Sequence, residues 1–117
     1  MGYLYNAGQM NAAKMAEIDP PSKAVSPTYR EDYRNLVSRP LQRSDLEGKT
    51  KAELSLIRNT IYAIHGYIFR KNPNIIDYFK KVNWYQPNPG FNEKRDFSQM
   101  DKDNVDLLVQ MESQAVN

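Results

Sequence analysis

The chain has 117 residues, a formal charge of +2, no cysteine and a mean hydropathy of −0.75. That length suits one small domain with an appendage, and the missing cysteines exclude disulfides, zinc–thiolate sites and thiol catalysis. No run reaches the ~18 apolar residues of a membrane span, and no secretory leader is present, so an exported protein would have lost its leader before residue 1.

Residues 1–19 include Asn11-Ala-Ala-Lys-Met-Ala-Glu-Ile, a helix signal with a thin apolar stripe of Met10, Met15 and Ile18. Three prolines between Asp19 and Pro27 read as a linker, because proline lacks an amide donor and turns its predecessor away from helix. Ser26-Pro27 then suits a helix start. Tyr29, Tyr33, Leu36 and Val37 share one face of a short helix that Pro40 stops, and that helix is expected to dock on the domain downstream of it. Residues 1–37 are read as arm, linker and docking helix, and 38–117 as the helical domain.

Within that domain, Ser44 to Gly48 reads as a turn with Leu46 as a plug into the core. Thr50 and Glu53 form a capping box, in which threonine accepts a first-turn amide and glutamate reaches back to the Thr50 amide. Leu54, Ile57 and Ile61 succeed it at helical spacing, and Gly66 suits the left-handed position past a helix end, so a helix is predicted over 51–65. Tyr67, Ile68 and Phe69 are expected to fold back onto it. Asn72-Pro73 opens a second helix with Ile75, Ile76, Phe79 and Val82 as its face and Asp77 to Lys81 as an ion pair. Gln86-Pro-Asn-Pro-Gly is a rigid turn, Phe91 is expected to re-enter the core, and Ser98 with Asp101 caps a last helix over 99–113. No alternating segment argues for a strand. The fold expected is all-α, a small orthogonal bundle of about three to four short helices with long connecting loops.

Charge is uneven: residues 49–83 carry seven basic and two acidic side chains, giving +5, and residues 84–117 carry three and six, giving −3. The acidic segment is expected to lie against the basic middle. Dedicated nucleic-acid domains are more basic overall, so no nucleic-acid partner is expected.

His65 is the single histidine. A zinc site needs three or four ligands, and Ser55 lies ten residues earlier on the same helix, too far along its axis for a nucleophile. A structural role results, either capping the last carbonyls beside Gly66 or packing in the core. No metal or cofactor is expected. Asp101, Asp103 and Asp106 partly mimic a calcium loop but lack its glycine, and read better as anions at a helix N-terminus. Trp84, Tyr85, Tyr67 and Tyr78 read first as core rim and second as a ligand platform. Arg58, Arg70, Lys71, Lys80 and Lys81 read first as a solvated face and second as a basic patch.

Arg58-Asn59-Thr60-Ile61-Tyr62-Ala63-Ile64-His65-Gly66, continuing into Tyr67-Ile68-Phe69, resembles the signature of the YARHG domain, named for a Tyr-Ala-Arg-His-Gly motif. Ser44-Asp45-Leu46, Trp84-Tyr85 with Pro87, and the helix containing Asn104 add to the likeness, which spans Ser38 to Gln110. The resemblance implies a small, mostly helical bacterial module, extracellular or envelope-associated, with no established activity. Thr60 stands where the family has Glu, and Ile64 where it has Arg. These positions are i and i+4 on one helix, so the exchange suits a lost ion pair better than a lost catalytic arginine. The resulting reading is a monomeric, non-enzymatic module that contacts an envelope protein or cell-wall glycan. Arg58, Asn59, Tyr62, His65 and Gly66 are its structural centre, and Trp84, Tyr85, Arg70 and Lys71 its candidate ligand surface. The competing reading is a small hydrolase or metal-dependent enzyme centred on His65.

Overall fold

The computed structural model describes residues 32–115. Among them there are five α-helices, one 3-10 turn and no strand. The turn spans Leu36–Ser38, and the helices are α1 Arg43–Leu46, α2 Lys51–Ile64, α3 Pro73–Lys80, α4 Glu93–Asp96 and α5 Gln99–Gln114. The all-α expectation holds. The helix start at Ser26-Pro27 and the stripe of residues 1–19 lie outside the described residues.

α2 is the axis of the fold. Its Thr50–Glu53 capping box forms in both directions, at 3.1 and 2.8 Å, and every residue from Leu54 to Ala63 is buried. A helix buried all round cannot sit at a surface; it must be wrapped by its neighbours. α5 supplies the largest of those surfaces, with α3 and the Leu36–Ser38 turn on other sides. Val105 and Leu108 of α5, Ile75 and Phe79 of α3, and Tyr33, Val37, Leu41 and Leu46 from the N-terminal side form one core with Leu54, Ile57 and Ile61. Leu46 is the expected plug. Tyr33 and Val37 dock on the core as expected, but not on a helix: residues 32 and 33 are not helical, and a three-residue 3-10 turn over Leu36–Ser38 carries Val37.

Asparagine and threonine side chains inside this core are bonded, as burial favours. Asn104 Oδ1 accepts the Leu41 amide at 2.9 Å while its Nδ2 donates to the Arg39 carbonyl at 3.0 Å. This one asparagine staples the extended segment before α1 onto α5. Thr60 Oγ1 donates to the Leu56 carbonyl at 2.8 Å, and Asn59 Nδ2 to the Ser55 carbonyl at 2.9 Å.

Two further expectations are corrected. Among the described residues no ion pair joins Asp77 to Lys81: α3 ends at Lys80, and Lys81 is already its C-cap, so the i,i+4 register is lost. Arg58 belongs to no solvated face. It is 1% exposed and paired in two contacts with Glu112 of α5, because its position on α2 faces the neighbouring helix.

Candidate functional site

The family-like stretch ends α2, and its end is built by backbone geometry. Gly66 has φ +88°, in the left-handed region that favours glycine. The Tyr67 amide returns to the Tyr62 carbonyl at 3.1 Å, and the Gly66 amide to that of Ala63 at 2.9 Å. The Gln86–Asn88 segment lies directly on this glycine: a Cβ there would stand 2.4 Å from the Asn88 Cβ and 2.8 Å from the Gln86 carbonyl oxygen. The Asn88 amide donates to the Gly66 carbonyl at 2.8 Å. Glycine is therefore required twice, by conformation and by close approach.

His65 joins α2 to α5. Its Nε2 lies 3.0 Å from Asp101 Oδ2, the same oxygen that accepts the Ser98 amide in the capping box of α5. The ring stacks on Phe91 at 5.8 Å and tilts against Phe97 at 5.2 Å. Among the described residues, no group of three or more His, Cys, Asp or Glu side chains is placed to hold a metal ion.

Beside this junction lies a cavity of about 270 Å³, lined by Tyr62, Tyr67, Arg70, Asn88, Phe91 and Glu93 with two smaller contributors. Tyr62, Tyr67 and Phe91 meet edge to face, with centroids 5.7 to 6.4 Å apart, the arrangement aromatic quadrupoles favour. Tyr85 supports the wall from outside by donating its hydroxyl to the Tyr67 carbonyl at 2.7 Å.

Glu93 carries no mark in the sequence that sets it apart. It sits on the single-turn helix α4, which a ring of polar contacts holds together. Asn92 Oδ1 accepts the Arg95 amide at 3.2 Å, Asp96 Oδ2 accepts the Asn92 amide at 2.9 Å, and Arg95 reaches the Gly90 carbonyl at 2.6 Å. Glu93 is partly buried, and its Oε1 is fully covered with no hydrogen-bond partner among the described residues. Burial raises its carboxyl above the usual range, although Lys102 and Lys94 pull the other way. Burial likewise pushes the Tyr62 phenol up, helped by the negative charge of Glu93. The Tyr62 hydroxyl therefore stays protonated at neutral pH.

Of the surface candidates, Arg70 and Lys71 are exposed, and Arg70 lines the cavity. Trp84 does not. It lies elsewhere, with Nε1 donating to Asp32 at 3.1 Å and the Arg34 guanidinium 4.9 Å from its ring centre. Tyr85 is half-buried against Phe69 and Phe79. Arg58, Asn59 and Tyr62 are buried within α2.

The molecule is thus of a definite kind, a small all-helical module with one motif-bearing helix at its centre and an aromatic cavity at that helix's end. A family model described as the YARHG domain matches residues 29–113, and the chain belongs to that family. The match begins nine residues before Ser38, and so takes in Tyr33 and Val37 of the core. No curated protein matches the chain, and no solved structure does either.

Proposed function

We propose that the chain is a non-catalytic accessory module of a bacterial envelope or secreted protein, and that it binds an envelope protein or cell-wall polymer through the cavity at the end of α2. The observation that carries this reading is the cavity's lining: aromatic faces, one amide, one cation and one carboxyl group. That set suits recognition. Hydrolysis of a glycoside calls for two carboxyl groups about the scissile bond, and Glu93 is the one carboxyl group in the lining. A buried phenol held above its ordinary pKa stays protonated and is a poor nucleophile. Among the described residues no helix is long and apolar enough to cross a membrane.

The test is retention of purified cell-wall sacculi and of solubilised envelope proteins on the immobilised chain. One fraction is expected to be retained, and Tyr67→Ala is expected to weaken retention at least tenfold while the protein still melts cooperatively. Retention of neither fraction, or equal retention by the folded variant, sinks the reading.

The second reading is a hydrolase centred on His65. It is favoured by the 3.0 Å contact with Asp101, which resembles the orienting half of a catalytic triad. His65→Ala separates the two. A lower melting temperature with no response to metal supports the binding module. Unchanged stability with lost turnover of a substrate supports the hydrolase.

A further inference from the structure

α4 carries an ionisable group in a place where its charge has no counterpart. Glu93 Oε1 is sealed by protein and accepts no hydrogen bond among the described residues. A neutral carboxyl group there costs the fold less than an ionised one, whose oxygen is both dehydrated and without a donor. The segment that bears it is lightly held. α4 has four residues and buries none of them. The bonds that close it lie within residues 90–96: Asn92 accepts the Arg95 amide, Asp96 accepts the Asn92 amide, and Arg95 reaches both Asp96 and the Gly90 carbonyl. These bonds fasten α4 to itself and not to the core. Its seat is made by the ring next to it. Phe91 meets Tyr62 and Tyr67 at 6.4 Å and stacks on His65 at 5.8 Å. A short segment with few buried groups and its own closed set of bonds is the kind that opens locally. The surrounding charges do not cancel the cost of ionising Glu93. Lys94 of α4 and Lys102 of α5 are exposed and favour the charged form, yet burial outweighs them. Tyr62 of α2, with Tyr67 and Arg70 after it, shares the cavity wall with Glu93, and Arg58 and Asp106 act on the Tyr62 phenol with opposite signs. Arg95 pairs with Asp96, and His65 meets Asp101.

We propose that α4 is a pH-operated latch on the cavity: protonated Glu93 holds it closed with Phe91 against Tyr62 and Tyr67, and ionisation, with the proton going to solvent, releases it so that the carboxylate reaches water. The latch goes beyond the binding reading and does not depend on what the cavity holds. Its sign follows from burial. The closed state holds the Glu93 proton more tightly than the open one, so closure is favoured as pH falls and is lost as pH rises through the raised value.

The test is a titration of the full chain by NMR from about pH 4 to about pH 8. It follows the Glu93 side-chain carboxyl carbon, the His65 ring, and the Phe91–Tyr67 ring contact read as a nuclear Overhauser effect. The ring contact is expected to weaken at least threefold with the midpoint of the Glu93 carbon, while the amides of Leu56 to Ile61 on α2 keep their protection from exchange. Glu93→Gln is expected to keep the contact strong across the whole range. Lys102→Gln removes an exposed cation that favours ionisation, and should move the midpoints of the Glu93 carbon and of the ring contact up together. Four results overturn the latch: a ring contact that ignores the Glu93 titration, a midpoint that follows the His65 ring, a loss that persists in folded Glu93→Gln, or an equal loss of protection in α2, which is global unfolding. If Glu93→Gln does not fold, Lys102→Gln decides. A joint shift supports the latch, and a ring contact that stays put while the Glu93 carbon moves overturns it.

Discussion

At the scale of single residues, two glycines with nearly the same backbone angle separate conformation from packing. Gly48 has φ +82° and nothing within 4 Å of the place a Cβ would occupy, while Gly66 has φ +88° with Asn88 and Gln86 pressed against it. Gly48→Ala should therefore cost only the ~1–2 kcal/mol of a left-handed alanine. Gly66→Ala should cost clearly more, ~3 kcal/mol or above, because the 86–88 segment must also shift. Urea denaturation of both variants checks this, and equal losses would show that the close approach is unimportant. Glu93 gives the second residue-scale prediction. Its pKa is raised in the folded state, so the folded protein holds the proton more tightly than the unfolded chain does. Its contribution is most favourable below the ordinary glutamate pKa and is lost as pH rises through the raised value. Glu93→Gln should thus stabilise the protein at pH 7 relative to wild type, with the gain shrinking as the pH falls toward the ordinary glutamate pKa. Thermal melts across that range read the crossover directly. Tyr62, His65 and Gly66 are legible in the sequence because a glycine stop and an apolar period mark a helix end. Glu93 is not, because a glutamate between Asn92 and Lys94 looks like any solvated position; Tyr62, Tyr67 and Arg70, which share its cavity, are far away in the chain.

At the scale of elements, legibility tracks capping and length. α2, α3 and α5 carry caps of Thr50, Asn72 and Ser98 and long apolar periods, and their limits fall within a residue or two of those expected. α1 and α4 have four residues each, fewer than any periodicity needs. Asp45 holds the start of α1 by accepting the Gln42 amide at 2.7 Å and pairing with Arg39. The same brevity hides the place of Glu93 in the cavity wall, since α4 carries it. The contact between α2 and α5 carries the element-scale prediction. Arg58 is buried and Glu112 nearly so, and removing one charge strands the other. Glu112→Gln should cost ~3 kcal/mol or more, whereas Arg58→Met combined with Glu112→Leu should lie much closer to wild type. A double-mutant cycle in urea measures the coupling, and additive losses would rule out the pair as a unit. The same contact bears on the uneven charge of the sequence: Arg58 of the basic middle pairs with Glu112 of the acidic C-terminal segment.

At the scale of the whole molecule, the question is where the folding unit begins. The motif and its companions point to Ser38, but the core does not stop there. Tyr33 is 7% exposed and Val37 2%, and both pack in the same cluster as Leu54 and Ile57. Their docking on the downstream domain is legible as an apolar period running into Pro40. The local form is not, because a three-residue 3-10 turn over Leu36–Ser38 stands where that period suggests a helix. The two departures from the family's motif are read at this scale too. Thr60 is 1% exposed and bonded to its own helix, while Ile64 is 43% exposed, so an acidic residue at 60 would be buried and a basic one at 64 solvated. Ile64→Arg alone should therefore leave stability within ~0.5 kcal/mol. Relative to a chain that starts at residue 29, one cut to 38–115 should lose ~3–5 kcal/mol through the missing Tyr33 and Val37 side chains. Because the Leu36–Ser38 turn packs on α2, that loss should reach the cavity as well, and the Tyr67 and Phe91 ring signals should broaden in the shorter chain. A 38–115 fragment with unchanged stability and sharp ring signals would show that the N-terminal residues only decorate a core complete without them.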